Sequence, residues 1–297
     1  MDKGIHLAVI PVAGLGTRLL PATKSQPKEM LPIGKKPVVQ YVVEEMEANG
    51  IKQILFVTGK TKTSIENHFD FDHELVRFLR EGGKEELLSE LEYERMRLQF
   101  YFTRQRRPKG LGDAVLCAQH FTEDRPFVVA LGDCVIGLYG SSTVVSRMVE
   151  VYRKNAPCVV IAMREVPPEN VSRYGIVRPG GDGPVFPIED LVEKPSLAEA
   201  PSRLAITARY VLPPAIHEAL QNTPPDQHGE VQLTDAIRRL LHEGMPIIGV
   251  RLNPEEKRYD VGNFHSYFEA FFEFALKDPE FGQSLKDKFL ELCREDR

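Results

Sequence analysis

Short runs of apolar residues alternate along the chain with segments in which apolar residues recur at helical spacing. The continuous runs are typical of buried strands bounded by turn residues. The predicted strands are 7–12, 53–58, 99–103, 126–131, 158–163, 205–211 and 247–252. Strands that alternate with helical segments indicate an α/β fold built from βαβ units, with parallel pairing and right-handed crossovers.

The segments between these strands show helical periodicity. The predicted helices are 37–49, 114–120, 141–155, 234–243, 264–276 and 279–296. Residues 61–97 are charged and mostly helical by pattern, with an interruption at Gly82-Gly83. Because this stretch is long for a crossover, we interpret it as an inserted helical excursion.

Composition narrows the class of protein. The 297-residue chain can bury a full core, and its net charge of −5 with mixed acids and bases gives no reason to expect nucleic acid as a partner. No apolar run approaches a membrane span, and the N-terminus does not resemble a signal peptide. The widely separated cysteines form no C-x-x-C pair, so we expect reduced thiols, no membrane association and a cytoplasmic location.

A glycine-rich turn directly follows the first strand. Gly14 and Gly16 let the backbone turn tightly and present N–H groups, and Arg18 and Lys28 add positive charge. Neither the Walker A pattern nor the dinucleotide fingerprint fits, because Thr17-Arg18 follows Gly16 and position 19 is leucine. The turn is therefore either a structural strand-to-helix connection or a polyphosphate site, and the two cations favour the phosphate site.

These residues also carry a family resemblance. Gly14-Leu15-Gly16-Thr17-Arg18, followed by Pro27-Lys28-Glu29-Met30-Leu31-Pro32, resembles the signature of the sugar-nucleotide pyrophosphorylases. The resemblance implies a Rossmann-like nucleotidyltransferase core with a mostly parallel mixed sheet, a helical insert and C-terminal helices. It also implies Mg²⁺-dependent transfer of UMP from UTP to glucose 1-phosphate, giving UDP-glucose and pyrophosphate.

The resemblance divides the chain by function and extends over nearly its whole length. We expect a single domain over 1–297, with a nucleotide-binding half at 1–135, a sugar-phosphate-binding half at 136–262 and C-terminal helices at 263–297. The aromatic-rich segment 264–276 is typical of a core or subunit contact, and we expect a homodimer or homotetramer.

Nucleotide binding is assigned by the resemblance to Ala13, Gly14, Leu15, Gly16, Thr17, Glu29, Gln105 and Gly110. Gln105 is the candidate reader of uracil, because an amide can accept a hydrogen bond from N3–H and donate one to a ring carbonyl. The alternative is a solvated basic loop in which Asp113 is a helix N-cap. Asp113 stands where the family often has histidine, and we assign it no chemistry.

Two aspartates are the candidate metal ligands. Asp133 follows the strand 126–131, and the carboxyl end of a central strand is where open α/β sheets bind ligands. Mg²⁺ usually takes one or two carboxylates together with phosphate oxygens. The resemblance adds Asp260 as a second ligand and often has a second aspartate where Cys134 stands. The alternative for Asp133 is a helix cap or a turn-forming residue.

The sugar-phosphate subsite is assigned by the resemblance to Gly175, Glu193 and Lys194. A glycine lets the sugar ring approach the backbone, a carboxylate can accept from two hydroxyls, and a lysine can meet the phosphate. The stretch 229–235 also matches the family, although its Thr-Asp pair could be a helix cap alone.

The expected chemistry needs no nucleophilic side chain. Arg18 would hold the triphosphate, Lys28 the α-phosphate and Lys194 the sugar phosphate, and Asp133 the metal ion. Two alternatives stay open at this point. One is a nucleotidyltransferase of the same fold that uses dTTP or another sugar 1-phosphate, against which the insert at 61–97 argues. The other is a non-catalytic nucleotide-sensing paralogue, against which the retained charged residues argue.

Overall fold

The computed structural model describes residues 4–295. Residues 1–3 of the predicted nucleotide-binding half and residues 296–297 of the predicted C-terminal helices lie outside the described residues. Every predicted strand is present, most with bounds shifted by one or two residues. The strands are β1 (Leu7–Pro11), β2 (Pro32–Ile33), β3 (Lys36–Pro37), β4 (Gln53–Thr58), β5 (Gln99–Arg104), β6 (Phe127–Ala130), β7 (Cys134–Ile136), β8 (Val159–Glu165), β9 (Gly175–Pro179), β10 (Val185–Glu193), β11 (Leu204–Leu212), β12 (Ile247–Arg251) and β13 (Arg258–Asp260).

Within residues 4–295, nine strands form one mixed sheet in the order β5-β4-β1-β6-β11-β8-β12-β10-β9. The pairings among β5, β4, β1 and β6 are parallel, with Leu7 opposite Gln53, and so is that of β8 with β12. Strand β11 is antiparallel to β6, β8 and β9, and β10 is antiparallel to its two neighbours. The predicted α/β fold with a mixed sheet is confirmed, and strands from both predicted halves share it.

Helices cover both faces of this sheet. They are α1 (Val38–Ala48), α2 (Thr63–Phe69), α3 (His73–Glu81), α4 (Gly110–Leu116), α5 (Gln119–Thr122), α6 (Val144–Asn155), α7 (Ile216–Gln221), α8 (Leu233–His242), α9 (Phe264–Leu276) and α10 (Gly282–Glu295). Alternate residues of each strand point to opposite faces. Leu7 and Val9 therefore enter the core under α4, α7 and α8, whereas Ala8 and Ile10 enter the core under α1, α2 and α6.

The helical excursion predicted at 61–97 contains α2, α3 and a 3₁₀ helix at Glu85–Arg95. Its interruption at Gly82-Gly83 is confirmed, since α3 ends at Glu81. None of the described helices is long and apolar enough to cross a membrane.

The helix predicted at 114–120 is wrong in its bounds. Helix α4 begins earlier, at Gly110, and α5 follows it after a break. The reason is a long-range contact, because Gly112 N donates to Val231 O at 2.8 Å and so satisfies an N–H group of the first helical turn.

A small two-stranded sheet joins distant parts of the chain. Strand β13 pairs antiparallel with β7, which places Asp260 opposite Cys134. Helix α9 packs beside it, with Phe274 fully buried. The sequence pattern does not predict this pairing, and it brings the two candidate metal ligands into one region.

Candidate active site

The segments that leave β1, β4 and β5 lie side by side at the carboxyl edge of the sheet. A Cβ added at Gly59, after β4, would lie 3.2 Å from Ala13 O. Gln105 N, after β5, donates to Thr58 O at 2.9 Å. Because parallel strands end at the same edge, the segments predicted to bind nucleotide converge there.

The glycine-rich turn is shaped by its own backbone and by one threonine. Gly16 has a φ of +66°, in the left-handed region that glycine adopts freely. Thr23 Oγ1 donates to Gly16 O at 2.7 Å, and the turn then enters a 3₁₀ helix whose Leu19 is fully buried. Leu15, Thr17 and Arg18 are exposed around this anchor. Arg18 forms no ion pair among the residues that the structure describes.

Lys28 lies beneath this turn and forms an ion pair with Asp133. A Cβ added at Gly14 would lie 3.7 Å from Lys28 Nζ, so the turn passes directly over the ammonium group. Burial lowers the pKa of Lys28, but the carboxylates of Asp133 and Glu29 outweigh burial and hold it above its ordinary value. Burial alone would raise the pKa of Asp133, but the ammonium group of Lys28 outweighs burial and holds that pKa below its usual range. Both side chains are therefore charged in the site.

Glu29, predicted to bind nucleotide, is buried in another ion pair. Its exposure is 1%, and its Oε2 accepts from Lys62 Nζ at 2.8 Å. Burial raises the pKa of Glu29, and Lys62 opposes that shift. Glu29 is therefore placed to stabilise the base of the site through Lys62, and its buried carboxylate is not placed to contact an anion directly.

Asp133 lies in the turn between β6 and β7, where no helix begins, so of the two alternative interpretations the helix cap is wrong, whereas a position in a turn is what the structure has. Val261 N donates to Asp133 O at 2.9 Å, which ties this turn to the end of β13. Asp260 Oδ1 accepts from Arg258 Nη2 at 2.7 Å, and Arg258 Nε lies 3.1 Å from Cys134 Sγ. The two candidate metal ligands thus sit on adjacent backbone segments, each paired with a cation through one oxygen.

A buried ion pair supports the turn from below. Arg209 and Glu45 are both fully buried, with Arg209 Nη2 at 2.6 Å from Glu45 Oε2. The same nitrogen donates to Cys134 O at 2.9 Å. Arg209 therefore fixes the backbone next to Asp133.

The predicted sugar-phosphate residues form a second cluster. A Cβ added at Gly175 would lie 3.2 Å from Glu193 Oε2 and 3.1 Å from Thr234 Oγ1, so the glycine leaves room beside both groups. Thr234 Oγ1 donates to Glu193 Oε2 at 2.6 Å, and Lys194 Nζ lies 3.1 Å from Glu193 Oε1. Lys194 has a φ of +44°, a left-handed conformation that costs a non-glycine residue energy and directs its exposed side chain.

The alternative interpretation of Thr234-Asp235 as a helix cap is wrong, because α8 begins at Leu233 and Thr234 binds Glu193 instead. The alternative interpretation of Asp113 as a helix N-cap is also wrong, since Asp113 lies inside α4 and accepts from Gln105 Nε2 at 2.6 Å. Short polar side chains near a helix start satisfy the capping pattern whether or not they cap. Only the hydrogen-bond partner found in the structure shows whether such a side chain caps the helix or binds another residue.

Contacts of Arg258 and Tyr174 join the two clusters. The Arg258 guanidinium lies 4.8 Å from the centre of the Tyr174 ring, and Lys194 N donates to Tyr174 O at 3.1 Å. The candidate metal ligands and the candidate sugar subsite are therefore linked through direct contacts with Tyr174.

Several residues to which the sequence analysis assigns no role in the site contact predicted site residues. Lys62 holds Glu29, Asp113 holds Gln105, Thr234 holds Glu193 and Arg258 holds Asp260. Arg258 and Thr234 lie in stretches that match the family, which is the only signal in the sequence for them.

The arrangement suits anionic ligands. Arg18 and Lys28 lie at the glycine-rich turn and Lys194 lies in the second cluster, and charge-assisted bonds from such groups favour phosphates. Among residues 4–295 no group of three or more metal-ligating side chains occurs. Asp133 and Asp260 fit a divalent cation that completes its coordination with phosphate oxygens, as Mg²⁺ does in nucleotide sites.

Comparisons with known proteins match nearly the whole chain. The family model described as nucleotidyl transferase matches residues 7–276. UTP–glucose-1-phosphate uridylyltransferase YngB of Bacillus subtilis is 45% identical over 96% of this chain and 94% of its own. A UTP-bound UGPase from Acinetobacter baumannii is 38% identical with a TM-score of 0.87, covering 97% of this chain and 99% of its own. A UDP-glucose pyrophosphorylase complexed with UDP-glucose is 37% identical with a TM-score of 0.82, covering 92% and 100%.

Proposed function

The chain belongs to the nucleotidyl transferase family, and from this premise we propose that it transfers UMP from UTP to glucose 1-phosphate, giving UDP-glucose and pyrophosphate. One observation carries the proposal: uridylyltransferases of this specificity match the chain over nearly its whole length at 40–47% identity. The matched part contains the glycine-rich turn, Lys28, Asp133 and the Glu193 cluster, so the resemblance covers the whole site and not the fold alone.

The reaction requires a sugar-phosphate oxygen to attack the α-phosphorus of UTP while pyrophosphate leaves. Both reactants are anions, so catalysis consists mainly of neutralising charge and aligning the groups. We propose that Arg18 and the amides of residues 14–17 hold the β- and γ-phosphates. Lys28 exchanges its contact with Asp133 for an α-phosphate oxygen.

We propose that the second cluster binds the sugar phosphate. Glu193, oriented by Thr234, accepts from sugar hydroxyls beside Gly175. Lys194, which extends from the same strand end and is about half exposed, neutralises the phosphate of that substrate. Glu29 supports the nucleotide site through its pair with Lys62.

Mg²⁺ is the proposed cofactor, held by Asp133 and Asp260. When bound, the ion would offset the negative charge of the phosphates during transfer. The ion pairs with Lys28 and Arg258 each use one carboxylate oxygen. Lys28 holds the pKa of Asp133 below its usual range, so this carboxylate is ionised, as a metal ligand must be.

A pyrophosphate-release assay tests the function. The protein is incubated with Mg²⁺ and each pair of UTP or dTTP with glucose 1-phosphate or another sugar 1-phosphate. We expect the highest kcat/KM with UTP and glucose 1-phosphate. Higher kcat/KM with dTTP would identify a thymidylyltransferase instead, and nucleotide binding without pyrophosphate release would identify a non-catalytic paralogue.

The variant Asp133→Asn tests the metal assignment. The substitution keeps the size of the side chain and removes the charge that Mg²⁺ prefers. We expect a large loss of kcat and a weaker dependence on Mg²⁺ concentration, with a smaller effect for Asp260→Asn. Full activity of Asp133→Asn at limiting Mg²⁺ would move the ligand elsewhere.

We propose that the partner in solution is a second copy of this chain. The described residues of α9, of α10 and of the connection between them leave several large apolar side chains exposed, among them Phe268, Phe272, Phe281 and Phe289. Contiguous apolar surface of this kind is typical of a subunit contact. Light scattering should give a homodimer or homotetramer, and Phe268→Ser should shift it towards monomer; a wild-type monomer would refute the assignment.

The unpaired cysteines favour the cytoplasm as the location.

A further inference from the structure

The amide of Gln105 is held in one orientation by the protein itself. Its Nε2 lies 2.6 Å from Asp113 Oδ2 and 3.2 Å from Gly110 O. Carboxylate and carbonyl oxygens accept hydrogen bonds and cannot donate them. Rotating the amide by half a turn would place Gln105 Oε1 against two acceptors, so the chemistry of its neighbours decides which atom faces which way.

This orientation leaves only an acceptor for a ligand. Both hydrogens of Gln105 Nε2 are directed to Asp113 and Gly110, and Gln105 Oε1 forms no hydrogen bond among the residues that the structure describes. The side chain is 6% exposed, so it has little freedom to find other partners. Its backbone is fixed as well, by the bond from Gln105 N to Thr58 O.

The backbone around Asp113 is fixed as well. Asp113 lies in the first turn of α4, which is docked on the segment around Val231 through the pairs Gly112 N to Val231 O and Val231 N to Lys109 O, each at 2.8 Å. A Cβ added at Gly110 or Gly112 would lie 2.7 Å from Val231 O, so the close approach depends on both glycines. Asp113 therefore cannot follow Gln105 if the amide turns.

We propose that Asp113 is a specificity-determining positioning residue that makes Gln105 an acceptor-only reader of the nucleobase. This inference rests on the proposed function. Gln105 Oε1 can then accept from the N3–H that uracil and thymine share. Cytosine presents a lone pair at N3, which would face the lone pairs of Gln105 Oε1. The site thus selects bases that carry a donor at N3 and rejects cytosine, while recognition of the ring carbonyls falls to other groups.

The test compares UTP, dTTP and CTP as substrates with glucose 1-phosphate. In Asp113→Asn the new side chain is of equal size but can donate as well as accept, so the reversed orientation of Gln105 faces one acceptor, Gly110 O, instead of two and becomes less unfavourable. We expect the ratio of kcat/KM for UTP to that for CTP to fall about tenfold, the effect of one hydrogen bond of about 1.4 kcal/mol. The ratio of UTP to dTTP should not change, because both bases carry N3–H.

Further variants test whether the change in the UTP-to-CTP ratio comes from the contact between Asp113 and Gln105. Asp124→Asn, at an exposed acidic residue in the turn that follows α5, is the matched control for the change in charge and should leave both ratios unchanged. In a Gln105→Ala background, Asp113→Asn should have no further effect on the UTP-to-CTP ratio. Asp113→Ala, compared by calorimetric binding of UTP and CTP alone, provides the same measurement if the first variant folds poorly.

The outcomes separate the inference from the function on which it rests. A wild-type protein that releases no pyrophosphate from UTP overturns the proposed function. A wild-type protein that prefers UTP to CTP, with the preference intact in Asp113→Asn and Asp113→Ala, overturns the role of Asp113 alone. So does an effect of Asp113→Asn that persists without the Gln105 side chain.

Discussion

Replacing Glu45 by Gln should destabilise the fold strongly, because it leaves the charge of Arg209 unpaired in the core. Both side chains have 0% exposure, and two bonds of 3.2 and 2.6 Å join them. After the substitution the guanidinium keeps only neutral partners, among them the carbonyls of Ala208 and Cys134 at 2.9 Å. Solvent cannot reach the group to compensate.

The size of the effect follows from this burial. Removing one partner of a buried ion pair typically costs about 3–5 kcal/mol. An unfolding entropy of about 2.1 cal/mol/K per residue gives about 0.6 kcal/mol/K for a chain of 297 residues. The expected fall in Tm is therefore about 5–8 °C.

Glu44→Gln is the matched control on the preceding residue of α1. Glu44 pairs with Lys36 at 2.7 Å, but the two side chains are 23% and 42% exposed. Such a pair contributes at most about 1 kcal/mol. Urea denaturation followed by circular dichroism, with calorimetry for Tm, compares the two variants. Equal losses of stability in Glu45→Gln and Glu44→Gln would refute the reasoning.

The double variant Glu45→Leu/Arg209→Met separates the unpaired charge from the loss of packing. Replacing both partners by apolar residues removes the buried charges altogether, which is often neutral or stabilising. We expect the double variant to be more stable than Glu45→Gln. A double variant that is less stable would show that the bonds from Arg209 to backbone carbonyls carry the stability instead.

Three further predictions concern the site and the pH dependence of folding. Arg18→Ala should lower kcat/KM about 10- to 150-fold without changing Tm, since losing a charge-assisted bond costs about 1.5–3 kcal/mol; unchanged kinetics would refute its contact with phosphate. Thr234→Val should raise KM for glucose 1-phosphate about fivefold while KM for UTP stays constant, because Glu193 loses a donor worth about 1 kcal/mol; Thr234→Ser should restore it, and an equal change for UTP would argue against this role. Burial lowers the pKa of His217 from 6.5 to about 4, so between these values the unfolded chain binds a proton that the folded chain does not. Stability should therefore fall by about 2 kcal/mol as pH drops from 7 to 5. Urea unfolding of His217→Gln should lack this component, and an identical pH profile would contradict the assignment.

Several features of the fold follow from local sequence alone. Strands β1 and β4 could be located closely because they are continuous apolar runs, and helix α9 because its apolar residues recur at helical spacing. The glycine-rich turn could be located too, since a positive φ at Gly16 needs a residue without a side chain. The lengths of the connections then required a layered α/β fold.

The partners of the polar side chains needed the tertiary structure. Lys28 and Asp133 are 105 positions apart, and the parallel pairing of β1 with β6 brings the segments that follow these strands together. The small sheet that places Asp260 beside Cys134 joins strands of three residues each, too short for a periodic signal.

Asp113 and Thr234 show the limit most clearly. Both match a helix cap by sequence, but Thr234 instead holds Glu193, 41 positions away at the end of β10. Asp113 holds Gln105, which lies eight positions earlier, just after β5. Apolar periodicity is repeated along a segment, so the chain carries it redundantly and it can be read locally. A hydrogen bond is a single contact between two atoms, and it exists only once folding has brought both of them within reach.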